Sequence, residues 1–442
     1  MFLAAISGLL AGCHETTPVR NVLLIVVDTL RADHLGVYGY NRPTSPHLDR
    51  QADRGVVFER ALTTSPWTVP AIASMLTGLL PSAHGGGLPI EGMTSVFKRT
   101  PVAEGIVSVT QRLSETGFAT FAIVGNPFLG RKMGIARGFD TYRHDRYGRP
   151  AEEVVDRALD WIGEQRYGRF FVMLHFMDPH LPHNAPEPYR GRFTADVETR
   201  KLPSLDEMRV RGTEYSASDR HYFVGRYDEE IAYLDDQLER LFRGLDDRWS
   251  DTLVILTSDH GEEILDHQSF DHGHTLMQEL LHVPLILWSP GLAPRRVSTP
   301  VSVLDIAPTI LDALGQKTEG MTAGGETAMT GRSLLDLVSG RGGLPERDLV
   351  AEILLYGDEQ KALIRWPHKL VLVPGTGSRR LVDLEADPGE HDDLSADRPD
   401  LADRLEVELR LRVAESYSQS GAQAVELDEE TRRELEALGY VD

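Results

Sequence analysis

The sequence predicts an α/β fold: a mostly parallel central sheet with helices on both faces, plus a small C-terminal antiparallel sheet with a packed helix. Three observations carry that expectation. Short apolar runs recur at residues 22–27, 120–124, 170–176, 253–257 and 284–288, each continuous, as a strand buried on both faces should be. Amphipathic helical patterns lie between them, at 151–165 and 218–245, and strands alternating with helices pair in parallel. After Ala313 the character changes. Residues 315–331 are rich in Gly and Thr, and strand patterns with tight connections follow at 349–356, 361–365, 369–373 and 380–384, as in an antiparallel sheet.

In chain order, the first segment is 1–20, a leader and linker. Its apolar run ends in Leu9-Leu10-Ala11-Gly12-Cys13, which resembles a bacterial lipobox, where the signal is cleaved before a cysteine that then carries lipid. Cys13 is the only cysteine, so no disulfide framework exists. The run carries no Lys or Arg ahead of it, a departure from the signal pattern; an ordinary short signal or an N-terminal tail is the alternative reading. The expected address is the bacterial cell envelope, with Cys13 as lipid anchor. A catalytic unit over 21–340 follows, then a C-terminal subdomain over 345–442, whose residues 399–416 form a charged amphipathic helix and whose end, 428–442, is acidic and helical.

The chain has 442 residues, enough for a large buried core, and a formal charge of −22. Phosphate backbones demand Lys and Arg, so this acidity excludes nucleic acid as a partner.

Candidate chemistry collects at strand ends, where sites form in parallel sheets. Asp28 ends the first run and Asp259 the 253–257 run, while Asp178 and His180 follow the 170–176 run. An aspartate closing a buried strand needs a partner, and a metal ion is the strongest one available. Thr68, in Trp67-Thr68-Val69-Pro70, precedes a proline suited to a helix start, where amide N–H groups attract anions. A plain helix N-cap is the bland reading. His267, His272 and His274 crowd into one loop after Ser258-Asp259-His260-Gly261-Glu262.

These motifs resemble those of the sulfatase-like family within the alkaline phosphatase superfamily. The stretch from Trp67 to Gly78 follows the family signature at Pro70, Ala73, Ser74, Leu76, Thr77 and Gly78, but has Thr68 at the formylglycine precursor and Ile72 at the arginine. Ser258 to Glu262 matches the family's S-D-H-G-E element, and Asp178-Pro179-His180 its D-P-H element. Further elements fall in family order over roughly residues 20–415. The resemblance implies a divalent metal at Asp28, Asp259 and His260 that also meets Thr68. It implies a second ligand group at His272, or else His274, with Asp178 or His180; whichever of these last two is not a ligand would serve the transferred group or the leaving group. Thr29 stands where sulfatases carry a second aspartate, and losing that oxygen favours one or two zinc ions, with manganese or calcium as alternatives.

The expected function is therefore metal-dependent hydrolysis of phosphate, phosphonate or sulfate esters of a small molecule, glycan or lipid, with Thr68 as nucleophile, His180 assisting, and phosphodiester-type substrates favoured. The alternatives are a sulfatase that tolerates threonine and a membrane-associated transferase of phospho-head-groups.

Overall fold

The computed structural model describes residues 18–89, 98–144, 146–165, 168–195, 197, 215–317, 329–340, 346–417 and 425–426. The lipobox at Cys13, most of the Gly/Thr-rich loop and the acidic tail at 428–442 lie outside them. No helix among the described residues is long and apolar enough to cross a membrane.

The centre is a nine-stranded sheet. Strand β1 (Asn21–Val27) is buried along its whole length and pairs in parallel on both sides, with β5 (Phe170–Phe176) and β6 (Thr252–Ser258). On the β5 side follow β3 (Ala119–Ile123) and β4 (Thr141–Arg143), also parallel. On the other side, β7 (His282–Trp288) is antiparallel to both β6 and β2 (Val56–Leu62). Strands β8 (Arg295–Val297) and β9 (Val301–Ser302) run parallel to β2 and complete the sheet. The run at 284–288 thus belongs to a strand of opposite direction from the others expected beside it. An antiparallel member in an otherwise parallel sheet is common, and burial on both faces leaves the same apolar signature whichever way a strand runs.

Helices cover both faces. Helix α1 (Thr68–Thr77) is buried at every position and stops at Gly78, whose φ of 67° suits a left-handed C-terminal residue. Helix α2 (Ala151–Glu164) turns Ala151, Val154, Val155, Ala158 and Ile162 inward, the spacing of one apolar stripe. The 28-residue α3 (Ala217–Gly244) begins with a capping box between Ser216 and Asp219. Helix α4 (Ile306–Ala313) packs on the α1 face.

Strands β10 (Leu349–Glu352), β11 (Lys361–Arg365), β12 (His368–Val373) and β13 (Ser378–Asp383) form the antiparallel C-terminal sheet. Helix α5 (Pro399–Tyr417) buries Ala402, Leu405 and Leu409 against Leu363, Leu370 and Leu381. At roughly 1.5–3 kcal/mol per buried large aliphatic side chain, such a cluster is enough to hold one helix on one sheet. Two interactions join this sheet to the central unit from within. Lys369, fully buried, lies 2.6 Å from Glu390 and donates to the Leu276 carbonyl. Glu390 in turn accepts from the Gln278 amide at 2.6 Å.

Candidate active site

Because β5, β1 and β6 are adjacent and parallel, their carboxyl ends deliver His175, Asp28 and Asp259 to one place. Atoms of these three residues lie within 4.8 Å of one another, all buried. Among the described residues, Asp28 Oδ1 and Asp259 Oδ2 have no hydrogen-bond partner, nor does either ring nitrogen of His175. Leaving four such polar atoms dry and unpaired would cost several kcal/mol.

The turn after β1 is strained to make this fit. Thr29 has φ 57°, a left-handed conformation rare for a β-branched residue. Tyr227 on α3 holds it there: its hydroxyl donates to the Thr29 carbonyl at 2.7 Å and accepts from the Arg31 amide at 2.9 Å. The Thr29 amide then faces Asp259 Oδ1 at 3.4 Å.

His260 completes the group. Its Nδ1 is 2.9 Å from the Gly261 carbonyl, which only accepts, so Nδ1 carries the proton and Nε2 presents a lone pair. That Nε2 lies 3.5 Å from Asp28 Oδ1, 3.6 Å from Asp259 Oδ2 and 3.4 Å from Thr68 Oγ1. A lone pair facing two carboxylate oxygens is repulsive without a cation between them. The other oxygen of Asp259, Oδ1, accepts from the His260 backbone amide at 2.9 Å. The donor set of Asp28, Asp259, His260 and Thr68, backed by His175, fits a divalent cation by its chemistry.

Thr68 is the first residue of α1. Asn126, following β3, donates from one amide nitrogen to Thr68 Oγ1 at 3.1 Å and to Asp28 Oδ2 at 2.9 Å. Behind it, Trp67 Nε1 and Ser65 Oγ both donate to the Ile353 carbonyl, at 3.0 and 2.9 Å. Ile353, just after β10, has φ 67°; the strain turns its carbonyl toward both donors. Two residues on, the amides of Leu355 and Tyr356 bind the Gly273 carbonyl at 2.7 and 3.0 Å, inside the histidine loop. His84 braces the far side of α1, with its ring against Ser74 Oγ at 3.1 Å and the Pro70 carbonyl at 3.2 Å.

A second buried group stands beside the first. Glu262, Asp271 and His272 converge within 4.8 Å, with His272 Nδ1 at 3.0 Å from Glu262 and 3.2 Å from Asp271. Burial, with Asp271 adding to it, pushes the Glu262 carboxyl up to about 8. The His272 ring is 4.4 Å from that of His260 and 5.1 Å from that of His180. His180 Nδ1 contacts the Leu181 carbonyl at 2.6 Å, which directs Nε2 elsewhere.

Two sequence candidates are placed differently from the rest. His274 pairs with Glu263 at 2.8 Å, an arrangement that leaves its pKa raised against the effect of burial. Asp178 meets the backbone of Ala151 at the start of α2, and burial pushes its carboxyl up to about 6. Neither belongs to a group of three candidate ligands within 4.8 Å among the described residues. His272 is thus the member of its loop brought to the site. His175, Asn126, Glu262 and Asp271 join it without having been singled out beforehand. An imidazole inside an otherwise apolar strand was the available signal for His175.

A metal-suited pocket at strand ends, with a hydroxyl at a helix start beside it, defines a hydrolase of the alkaline phosphatase superfamily. Residues 20–316 match the Sulfatase family model, and the chain belongs to the sulfatase family. It is similar to an arylsulfatase of Clostridium perfringens, with 24% identity over 84% of this chain and 89% of that protein. It also resembles a multifunctional alkaline phosphatase superfamily protein of Trinickia caryophylli, at 27% identity over 72% of this chain and 77% of the other. Among solved structures, the fold matches a phosphonate monoester hydrolase of Agrobacterium radiobacter, with TM-score 0.70, 21% identity and coverage of 90% and 96% of the two chains. A 2-O GAG sulfatase matches with TM-score 0.71, 18% identity and coverage of 94% and 96%.

Proposed function

We propose that this sulfatase-family hydrolase cleaves phosphate or phosphonate esters, phosphodiesters foremost, through Thr68 as nucleophile. One observation carries the reading: Thr68 Oγ1 lies at the start of α1, 3.1 Å from Asn126 Nδ2 and 3.4 Å from the lone pair of His260 Nε2, in the position where the family signature calls for cysteine. Threonine cannot be converted to formylglycine, so a sulfatase nucleophile is not available here, whereas a hydroxyl attacking phosphorus needs only activation and placement.

Asp28, Asp259 and His260 would hold a divalent metal, for which their mixed oxygen and nitrogen donors favour zinc. Once bound, it would supply charge neutralisation and a lowered pKa for the Thr68 hydroxyl. The chain's own residues do the rest. Asn126 orients Thr68 against Asp28. The first-turn amides of α1 face the developing oxyanion. Thr68 gives up its proton to solvent and gains the bond to phosphorus. The P–O bond to the alcohol breaks, and the alcohol leaves with a proton delivered from His180. Water then cleaves the ester on Thr68. Within the second group, His272 contributes the imidazole nearest His260, and Asp178 serves the α2 terminus rather than a metal.

The arylsulfatase relative favours a second reading, hydrolysis of sulfate esters. The kcat/KM values for p-nitrophenyl phosphodiesters, phosphonates and sulfates separate the two, and a clear preference for sulfate would overturn the first. We also propose that Cys13 is lipidated and tethers the enzyme in the cell envelope. Membrane fractionation should then release Cys13→Ser; equal fractionation of both proteins would overturn the anchor.

A further inference from the structure

A cavity of about 800 Å³ opens beside His180. Its lining includes Met177 and Gly148 as well, and these pack on Gly125, next to Asn126. Of the residues that would handle the reacting group, the cavity therefore meets His180 directly and Asn126 only through its neighbour Gly125. Two carboxyls stand in its wall, Asp178 and Glu230. Asp178 Oδ2 is shielded from solvent and has no hydrogen-bond partner among the described residues. Glu230 is 5% exposed, and its Oε1 accepts from the Asn184 amide. Glu152 and Glu187 lie further out along the same lining. Tyr189 and Tyr233 meet edge to face at 5.4 Å and supply an aromatic wall. Arg240, the cationic side chain in the lining, is engaged with Asp156 and Gln237. Arg226, which faces Glu230 from outside the cavity, donates to the His183 carbonyl.

This lining disfavours an anionic ligand, which would meet the buried carboxyls of Asp178 and Glu230 while Arg240, the cationic side chain of the lining, is already paired with Asp156. It accepts an ammonium group, which carboxylates bind by charge-assisted hydrogen bonds and aromatic faces by cation–π attraction. We propose that the cavity walled by Asp178, Glu230, Tyr189 and Tyr233 receives the leaving alcohol of the ester, and that this alcohol carries an amino group. The inference rests on the Thr68 reading above, because that reading makes the alcohol side of the ester the part next to His180.

The test uses paired substrates with a common product. The 2-aminoethyl and 2-hydroxyethyl esters of methylphosphonate both release methylphosphonate, followed by phosphorus NMR. Wild-type protein should favour the aminoethyl ester by about tenfold in kcat/KM, equivalent to about 1.4 kcal/mol. Glu230→Gln keeps an oxygen for the Asn184 amide and removes the ionisable carboxyl that an ammonium would pair with; the ratio should fall toward unity. Tyr189→Leu, which removes the aromatic face, should lower it as well. A wild-type ratio near one, or a ratio that both variants leave intact, overturns the subsite. Absence of turnover with every ester overturns the Thr68 reading instead. In that event the subsite is judged by saturation-transfer NMR with 2-aminoethanol against ethylene glycol. Selective binding of the amine that Glu230→Gln abolishes upholds it, and equal or absent binding overturns it.

Discussion

Replacing Lys369 with methionine should destabilise the protein severely and slow catalysis, although Lys369 lies in the C-terminal sheet. Its ammonium is fully buried, 2.6 Å from Glu390, and also donates to the Leu276 carbonyl. Lys369→Met fits the space but leaves Glu390, 1% exposed, with an uncompensated charge. Breaking a buried pair from one side costs about 3–5 kcal/mol, whereas neutralising both partners with residues of similar shape is often close to neutral. In Lys369→Met/Glu390→Gln, the glutamine amide oxygen can still accept from Gln278. The double variant should therefore be more stable than either single one, with a coupling energy of roughly 2 kcal/mol or more. Urea denaturation of the four proteins measures this cycle. Because Leu276 and Gln278 continue the loop that carries His272, kcat should fall in Lys369→Met and recover in the double variant. If the two single costs simply add, the pair is not coupled and the argument fails; normal kcat in a destabilised Lys369→Met would sever the link to the loop.

Thr68→Ala should abolish ester turnover, while Thr68→Ser, which keeps the hydroxyl, should retain a measurable fraction; steady-state assays with a p-nitrophenyl phosphodiester decide. His175→Gln and Asp259→Asn should each lower bound divalent metal, read by mass spectrometry of the native protein, and unchanged content in both would refute the assignment of these residues to the metal-suited group. Trp67→Phe removes a hydrogen bond to Ile353 and should cost about 1–2 kcal/mol in thermal or urea unfolding, with a larger fractional loss in kcat than in apparent substrate affinity. Burial, only partly offset by the Pro70 carbonyl, keeps His84 neutral down to a pKa of about 3. Unfolded histidine binds its proton near pH 6.5, so this group's stabilisation is complete above that pH. It is lost as the pH falls toward 3, at about 1.4 kcal/mol per pH unit; His84→Gln should flatten that slope in urea titrations.

Much of this fold was legible because burial on both faces writes a plain apolar signature. The cores of β1, β3, β5 and β6 lie where the runs at 22–27, 120–124, 170–176 and 253–257 put them. Strand β2 escaped notice because Glu59 and Arg60 are only half-buried and interrupt its run. Direction was invisible for β7, since an apolar stretch carries no arrow. At the site, Asp28, Asp259 and His260 announced themselves as polar residues closing apolar runs. Asn126 did not: a glycine before it and a proline after it read as turn punctuation, and only the tertiary fold brings its amide between Thr68 and Asp28. Asp178 shows the opposite limit. A single residue, Pro179, separates it from His180, yet its carboxyl meets the start of α2, a divergence that spacing along the chain does not encode.

The stretch from Ile353 to Tyr356 bears on where this enzyme may be cut. The matched family region stops at residue 316, so a gene fragment trimmed to it would encode Asp28, Thr68, Asp259, His260 and His272 intact. It would omit the carbonyl that anchors Trp67 and the amides that hold Gly273. Such a fragment would own every reactive group and have lost the jig that aligns them. The smallest portable catalyst is therefore longer than the smallest recognisable sequence, and grafts or truncations should be drawn beyond β10 rather than at the family boundary.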